Sequence, residues 1–295
     1  MPERMMLLVN PYAGKGGYKT SLTAVIEEFC SGDYLPTIYF TKDAGHAPKL
    51  VEQYAADYDI VVCLGGDGTL SEVVTGMMSS GIKRPIGYIP FGTANDVART
   101  LELSSHPAQA ARAIVQGSLF PFDVGQFGTD CFFTYVAAFG AFTDVSYGTP
   151  QEKKQMLGHL AYMLEGLKSI NRLTSCRAIV EYDGGVVEDD FIFGAVTNST
   201  SIAGLVKLDK GSVNLSDGMF EVLLVRTPQD VVELNNIISA LLLSNFSSPS
   251  VLFLRSSEVR IMFDQPVAWT RDGEDGGRHK DVMIVNRHPG VELII

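Results

Sequence analysis

The sequence is short of the features that mark secreted, metal-binding and nucleic-acid-binding proteins. Its four cysteines are spread over 295 residues without metal-ligand spacing, so we predict reduced thiols rather than a disulfide framework or a zinc site. Basic residues are few, 23 Lys and Arg against 34 Asp and Glu, and the net charge is −11. That charge argues against the basic footprint that nucleic acid requires, and we expect no nucleic-acid partner.

Long apolar runs are also missing. The apolar stretch near the N-terminus is too short for a signal peptide, and residues 131–142 are too few to cross a bilayer. A second apolar stretch, 237–254, is interrupted by Ser, Asn and Pro. We therefore expect a cytoplasmic protein without a transmembrane segment, which would visit the membrane only transiently if its substrate is a lipid. The five histidines are scattered without telling spacing, and we predict no role for them.

The first part of the chain alternates between short apolar runs and segments with helical spacing. Predicted strands lie at 5–10, 37–40, 59–64 and 86–90, and predicted helices at 20–30, 47–58, 69–78, 96–103 and 108–116. The run 59–64 is apolar throughout, which is typical of a strand buried on both faces. This alternation predicts an N-terminal α/β domain over 1–122, with a parallel sheet covered by helices.

Beyond residue 122 the pattern changes to short β-rich segments separated by turn signals. These segments are 131–138, 177–182, 190–196, 219–225 and 258–263. One long helical stretch, 153–170, interrupts them. We predict a second, largely antiparallel β-sandwich domain over 123–295. Its last strand, 290–295, could pair within this domain or return to the first one.

The first loop that suggests chemistry is Gly65-Gly66-Asp67-Gly68-Thr69, between a predicted buried strand and a helix. The glycines allow a phosphate to approach the backbone, and the helix N-terminus attracts an anion. The Asp67 carboxylate suits such a loop if Mg²⁺ lies between it and the phosphate. The alternative is a plain turn in which Asp67 caps the helix.

A second loop, 90–96 (PFGTAND), also follows a predicted strand and precedes a helix. Gly92 and Thr93 should lie beside the first loop, because ligands bind at the carboxyl ends of parallel strands. The Thr93 hydroxyl can donate to a phosphate. Asn95 or Asp96 could instead be a plain N-cap of the helix, and Asp96 is better explained in that way.

A third glycine-rich loop, 10–17 (NPYAGKGG), follows the first predicted strand. It lacks the Gly-Lys-Ser/Thr ending of a Walker A loop. Judged alone it is either a phosphate-binding loop with one lysine or a flexible turn.

Together these three loops resemble the catalytic domain of the diacylglycerol kinase and sphingosine kinase superfamily, and most of all the bacterial soluble diacylglycerol kinases. NAD kinases share the first loop, whereas 90–99 (PFGTANDVAR) distinguishes this chain from them. Segments 123–125, 154–162, 217–218 and 272–274 also fall where that family has similar elements.

The resemblance implies a nucleotide-binding first domain, ATP and a lipid as substrates, and Mg²⁺ as cofactor. The implied ATP site comprises Asn10, Pro11, Tyr12, Ala13, Gly14, Thr41, Gly65, Gly66, Asp67, Gly68, Thr69, Leu70, Ser71 and Thr93. The implied structural Mg²⁺ site comprises Asn214, Asp217 and Met219. Asp67 would hold the nucleotide's Mg²⁺ through water, with Asp123 and Asp272 in the surrounding acidic network.

Glu274 looks like the general base in this resemblance. The chemistry agrees, because a lipid hydroxyl is a poor nucleophile and a carboxylate in reach can accept its proton. Without the resemblance, 271–277 reads only as an acidic hairpin turn.

Two departures from the family pattern are visible. Ser71 stands where the family usually has Asn, and 199–210 contains less Gly and Pro than usual, which weakens the structural-metal assignment. The alternatives are a kinase of a soluble acceptor such as NAD, and a non-catalytic nucleotide or lipid sensor on the same fold. Members of the family often form dimers, so a homodimer is a further candidate assembly.

Overall fold

The computed structural model describes residues 2–140, 174–202, 206–208, 213–246 and 248–295. The predicted helix at 153–170 and the family-like segment 154–162 lie outside these residues. The helices are α1 (Tyr18–Ser31), α2 (His46–Tyr54), α3 (Asp67–Ser80), α4 (Asp96–Thr100), α5 (Pro107–Gln116) and α6 (Val231–Leu242), with 3₁₀ turns at Ala13–Gly16 and Ala55–Asp57.

Strands account for most of the remaining structure. They are β1 (Glu3–Val9), β2 (Tyr34–Phe40), β3 (Ile60–Gly65), β4 (Ile86–Pro90), β5 (Leu119–Phe127), β6 (Cys131–Phe133), β7 (Val136–Gly140), β8 (Cys176–Tyr182), β9 (Gly185–Thr197), β10 (Ser201–Ile202), β11 (Val206–Lys207), β12 (Phe220–Arg226), β13 (Val251–Ser256), β14 (Glu258–Arg271) and β15 (Glu274–Ile294).

The chain divides into two compact units. Unit 1 comprises Met1–Val124, Asp130–Thr134 and Arg287–Ile295, and unit 2 comprises Gly125–Thr129 and Tyr135–Asn286. A mixed α/β N-terminal part and a β-rich C-terminal part were predicted, and both are confirmed.

In unit 1 the strands follow the order β4, β3, β1, β2, and each neighbouring pair is parallel. The last residues of β15 pair with β4, Leu293 with Ile86 and Ile294 with Gly87. Residues Met5 to Val9 of β1 are all fully buried, as expected for a strand that is covered on both faces.

Helices α1 and α5 cover one face of this sheet. Val25 and Phe29 of α1 and Ile114 of α5 pack on alternate residues of β1 and β3, among them Leu7 and Val62. Helices α2 and α3 contact each other, and their buried side chains include Val51, Val73 and Val74. Apolar residues at helical spacing therefore account for the position of each helix.

In unit 2 the strands follow the order β13, β12, β9, β7, β14, with antiparallel pairing throughout. β14 also pairs with the first part of β15, and β8 pairs with both β9 and β14. Trp269 is buried among Phe127, Phe139 and Phe263, with ring centroids 4.9 to 6.2 Å from it. This aromatic cluster forms part of the unit 2 core.

Several elements of the structure differ from the sequence-based prediction. α6 was not predicted, β15 is far longer than the predicted 290–295, and β5 and β13 were also missed. Within the described residues, no helix is both long and apolar enough to cross a bilayer.

Candidate active site

The carboxyl ends of four neighbouring strands lie side by side in unit 1. The register places Phe40 opposite Val9, Val9 opposite Leu64, and Gly65 opposite Pro90. The loops that follow these strands therefore leave the sheet along one edge, which we call the loop edge. It is the edge where open parallel sheets bind their ligands.

Main-chain hydrogen bonds continue the sheet into the loop edge. The N–H groups of Thr41, Asn10 and Phe91 donate to the last residues of neighbouring strands, at 3.0, 3.0 and 2.6 Å. These bonds fix the first residue of each loop to the end of a neighbouring strand. The predicted nucleotide-site residues Asn10, Thr41 and 65–69 are consequently brought together with the loop 91–95.

The Asn10 side chain ties the loop 10–17 to the loop 65–69. Its Nδ2 donates to Thr69 Oγ1 at 3.0 Å, and its Oδ1 accepts from the Tyr12 N–H at 3.0 Å. Both the nitrogen and the oxygen of the Asn10 amide therefore help to position these two loops. The Tyr12 side chain extends outward and is 74% exposed.

Gly66 and Gly92 meet where the loop 65–69 approaches the loop 91–95. A Cβ atom on Gly92 would lie 2.5 Å from the Cα of Gly66, which leaves no room for a side chain. Asn95 holds this approach, since its Oδ1 accepts from the Gly92 N–H and its Nδ2 donates to the Gly92 carbonyl, both at 2.9 Å. Asn95 has φ of 51°, a left-handed conformation that Asn tolerates better than most residues.

Gly14 is equally constrained. It has φ of 55°, and a Cβ there would lie 2.7 Å from both the ring and the carbonyl oxygen of Phe91. The glycines of all three loops therefore allow close approach of main chains. At these positions the absence of side chains lets a ligand approach the peptide groups.

Asp67 is a buried acidic residue of the loop edge. It is the first residue of α3, and its Oδ1 accepts from the Val97 N–H of α4 at 3.2 Å. Gly66, with no side chain, is at the N-cap of α3. The Asp67 carboxylate therefore fastens α4 to α3, which differs from the alternative in which it caps its own helix.

The N-cap of α4 is one of the two residues predicted for it. Asn95, rather than Asp96, is at the N-cap, and Asp96 is the first helical residue. The Asn95 amide is already engaged with Gly92, which explains why it does not cap α4 with its side chain. Asp96 instead lies 3.4 Å from the Arg99 guanidinium.

Thr41 is buried where β2 ends, and the loop after it is held by Glu72 of α3. The two carboxylate oxygens of Glu72 accept from the N–H groups of Gly45 and Ala47, at 2.7 and 3.2 Å. Glu72 thus supplies the cap for α2 that Gly45, at the N-cap, cannot supply itself.

The remaining predicted nucleotide-site residues vary in exposure. Leu70 is buried in unit 1, Thr93 is exposed, and Pro11, Ala13 and Ser71 are partly buried. Thr93 is therefore accessible to a ligand at the loop edge, whereas Leu70 contributes packing.

Asp123 of unit 1 is fully buried, and its partner is a histidine that sequence reasoning had left without a role. Nδ1 of His288 lies 2.6 Å from Oδ1 of Asp123. The two residues are 165 positions apart, which is why no spacing in the sequence revealed the pair.

In unit 2, Glu274 is presented by a tight hairpin between β14 and β15. Arg271 pairs with Glu274, and the two connecting residues, Asp272 and Gly273, have φ of 47° and 82°. Positive φ at both positions is the signature of a type I′ turn, for which Asp-Gly is a preferred sequence. The acidic hairpin turn expected at 271–277 is thus present.

Asp272 fixes that hairpin to the neighbouring strand. Its Oδ1 accepts from the N–H groups of Tyr135 and Val136, at 3.0 and 3.1 Å, and its own N–H donates to the Val136 carbonyl at 2.9 Å. The buried Asp272 therefore acts in the turn itself. Glu274 is exposed at the end of this rigid support.

The residues predicted for a structural metal lie in the turn before β12. Asn214 Oδ1 accepts from the Ser216 N–H at 3.1 Å, and Asp217 Oδ1 accepts from the Met219 N–H at 3.0 Å. The other Asp217 oxygen accepts from the Arg255 guanidinium. The Asp217 carboxylate is therefore already paired with a cationic side chain.

Glu221, which no sequence signal singled out, lies beside this turn with 0% of its side chain exposed. Oε1 of Glu221 is 3.3 Å from Nε of Arg255, and within the described residues neither of its oxygens accepts a hydrogen bond of good geometry. Burial raises the pKa of Glu221 to about 7, with Arg255 opposing that rise and Asp217 adding to it.

Comparison with known families agrees with both units. The model of the diacylglycerol kinase catalytic domain matches residues 4–127, and that of the YegS C-terminal NAD kinase beta sandwich-like domain matches 141–291. The chain belongs to the diacylglycerol kinase-like family of lipid kinases. The family resemblance seen in the loops is thus confirmed.

Relatives in this lipid kinase family extend over nearly the whole chain. The diacylglycerol kinase of Staphylococcus carnosus is 31% identical and aligns with 94% of this chain and 90% of its own length. That of Bacillus subtilis is 29% identical, over 93% and 91%. The crystal structure of a candidate diacylglycerol kinase from Bacillus anthracis covers 99% of this chain and 95% of its own, with a TM-score of 0.82 and 25% identity.

Proposed function

We propose that this protein transfers the γ-phosphate of ATP to the hydroxyl of diacylglycerol or a similar lipid, with Mg²⁺ as cofactor. The observation that carries the proposal is the loop edge. There, close main-chain packing at Gly14, Gly66 and Gly92 coincides with a helix N-terminus and the buried Asp67 carboxylate. Glycine loops at a helix N-terminus favour phosphate, and a carboxylate among them favours phosphate that arrives with a metal.

The proposed nucleotide site consists of the loops that follow β1, β3 and β4, with Thr41 after β2. Main-chain N–H groups at the start of α3 would donate hydrogen bonds to phosphate oxygens, and the exposed Thr93 hydroxyl would add a further donor. Asn10, Asn95 and Glu72 would act by holding these loops in register. The site would therefore exist before ATP binds, which reduces the entropic cost of binding.

The donor set suits a metal that arrives on the nucleotide. The described residues contain no group of three or more His, Cys, Asp and Glu arranged to hold a metal by themselves. Mg²⁺ usually binds through one or two carboxylates together with substrate phosphates, and Asp67 would supply that carboxylate, directly or through water. When bound, Mg²⁺ would neutralise charge on the transferring phosphate.

A second, structural Mg²⁺ fits the described residues poorly. The side-chain oxygens of Asn214 and Asp217 already accept hydrogen bonds from the turn, and Arg255 neutralises Asp217. We therefore assign no step to a second metal.

Glu274 is the proposed general base. As the lipid hydroxyl oxygen forms its bond to the γ-phosphorus, the bond from that phosphorus to the β–γ bridging oxygen breaks and ADP leaves. Glu274 would accept the hydroxyl proton, a role that suits an exposed carboxylate on a rigid hairpin. Asp272 would position it through the turn.

The acceptor class is the part of the proposal that most needs an experiment. We would measure transfer of radiolabelled γ-phosphate from Mg-ATP to diacylglycerol, ceramide, sphingosine and phosphatidylglycerol in mixed micelles, and to NAD in solution. We expect a labelled lipid. Labelled NAD would move the protein to the NAD-kinase-like alternative, and ATP binding without any product would favour a sensor.

A further inference from the structure

The outer side of α6 carries exposed apolar residues that the fold does not use. Val231 and Val232 at its start are 43% and 67% exposed, and Leu242 and Leu243 at its end are 52% and 77% exposed. The opposite side is buried in unit 2 through Leu234, Ile237, Ile238 and Leu241. Elsewhere in the described part of the chain, large exposed apolar side chains occur singly along the sequence.

The exposed side chains on the outer side of α6 carry no charge. We define the α6 outer face as the exposed residues Val231, Val232, Asn235, Asn236, Ser239, Leu242 and Leu243. Between Asp230 and Arg255 the sequence has one ionisable residue, Glu233, in a protein of net charge −11. Glu233 accepts hydrogen bonds from the Ser250 hydroxyl and the Gln229 N–H, which lower its pKa and hold it at the helix start.

The absence of charge matters for an acidic protein that must meet a lipid. A bilayer with anionic lipids repels negatively charged surfaces, and the repulsion falls off within about a Debye length. A neutral face with aliphatic side chains at both ends can approach such a surface and bury those side chains among the acyl chains. Exposed apolar patches on otherwise polar proteins mark interaction sites of this kind.

We propose that the α6 outer face docks the protein on the surface of the bilayer that holds its acceptor. This inference rests on the proposed lipid kinase function, since it assumes that the acceptor resides in a membrane. Val231, Val232, Leu242 and Leu243 would enter the interface at the two ends of the helix, while Asn and Ser side chains between them meet lipid headgroups.

The test compares vesicle binding by wild type with that by Val232→Ser combined with Leu243→Ser. A matched control combines Leu35→Ser with Val186→Ser, which removes two similarly exposed aliphatic side chains elsewhere (55% and 63%). We expect the first double variant to partition about tenfold or more weakly onto phosphatidylcholine vesicles containing phosphatidylglycerol, and the control to match wild type. Equal binding by all three, or no binding by wild type, would overturn docking through α6.

Two further variants separate a bilayer from a protein partner. On the same vesicles, Leu243→Glu should weaken binding and Leu243→Lys should preserve it, because the lipid charge is negative. If the serine double variant instead changed the molar mass measured by light scattering while vesicle binding stayed constant, the face would belong to a second copy and the proposal would be wrong.

Phosphorylation of a short-chain diacylglycerol dispersed as monomers keeps this inference separate from the proposed function. Normal activity of the serine double variant on that acceptor, with reduced vesicle binding, would support docking. If wild type did not phosphorylate the short-chain acceptor or any micellar lipid, the proposed function would fail, and vesicle binding would still decide the role of α6.

Discussion

Gly92 shows how a single residue determines the shape of the loop edge. A methyl group at this position would lie 2.5 Å from the Gly66 Cα and 2.8 Å from Asn95 Oδ1, so the main chain must move to accept it. The corresponding methyl group on Gly66 would meet its nearest atom, the Gly92 Cα, at 3.2 Å. The two glycines therefore differ in how much displacement a side chain would cause.

This difference gives a graded prediction. Gly92→Ala should raise the KM for ATP by about ten- to a hundredfold, because small displacements of positioning groups are costly. Gly66→Ala should have a smaller effect. Steady-state kinetics with varied ATP would measure both, and circular dichroism would confirm that both variants are folded. An unchanged KM in Gly92→Ala would show that the nucleotide does not depend on this approach.

Glu221 provides a second prediction at the residue scale. Its pKa is raised from 4.5 to about 7 by burial, so folding favours its protonated form and the fold loses stability as pH rises through that range. Glu221→Gln keeps the shape without the charge. Its free energy of unfolding relative to wild type should increase between about pH 4.5 and 7, by on the order of 1–3 kcal/mol.

Urea unfolding at pH 5 and pH 8 would measure this effect. Glu52→Gln, at an exposed position on α2, is the control and should show no such trend. A gain that is the same at both pH values would mean that the Glu221 carboxylate is already ionised in the folded protein at pH 5.

At the residue scale, local sequence predicted loops better than it predicted partners. The glycine loops and the Asp-Gly hairpin follow from turn chemistry within a few residues. Glu221 and the Asp123–His288 pair could not be predicted, because burial and contacts across 165 positions depend on the complete fold. The roles of the predicted nucleotide, metal and base residues stay predictions.

At the scale of elements, one side chain of α3 caps the neighbouring helix α2. Glu72 accepts two N–H groups at the start of α2, which fixes the loop that follows Thr41. Glu72→Ala should remove this cap, lower the free energy of unfolding by about 1 kcal/mol and raise the KM for ATP more than it lowers kcat.

Glu72→Gln is the matched variant for that experiment. It retains one acceptor oxygen and should recover part of the loss in both stability and KM. Thermal unfolding together with ATP titration of the initial rate would measure the two effects. A loss of stability without any change in KM would limit Glu72 to a structural role.

How well each helix or strand could be predicted depended on how clear the pattern of apolar residues is in its sequence. The strands β1, β3 and β4 each contain a short apolar run with glycine or proline close by, so their positions could be predicted within a few residues. α6 was missed because its outer face is itself apolar at both ends, which hides the helical period. Only the end of β15, at 290–295, was predicted, because the earlier part of the strand is mostly polar in sequence.

At the scale of the whole molecule, the chain passes between the two units more than once. Unit 1 includes Asp130–Thr134 and Arg287–Ile295 as well as its first 124 residues, and the last residues of β15 pair with β4. Composition alone could not indicate these crossings, because no linker-like sequence marks them. A net charge of −11 is spread over a molecule whose α6 outer face is neutral.

The most direct test of the account is lipid phosphorylation by Glu274→Gln compared with wild type. Transfer of radiolabelled γ-phosphate from Mg-ATP to diacylglycerol in mixed micelles should fall by about 10²- to 10⁴-fold. Affinity for Mg-ATP, measured by calorimetry, should be unchanged because the substitution leaves the loop edge intact. Undiminished transfer by Glu274→Gln would contradict the proposed base, and the absence of transfer by wild type to any lipid would contradict the proposed function.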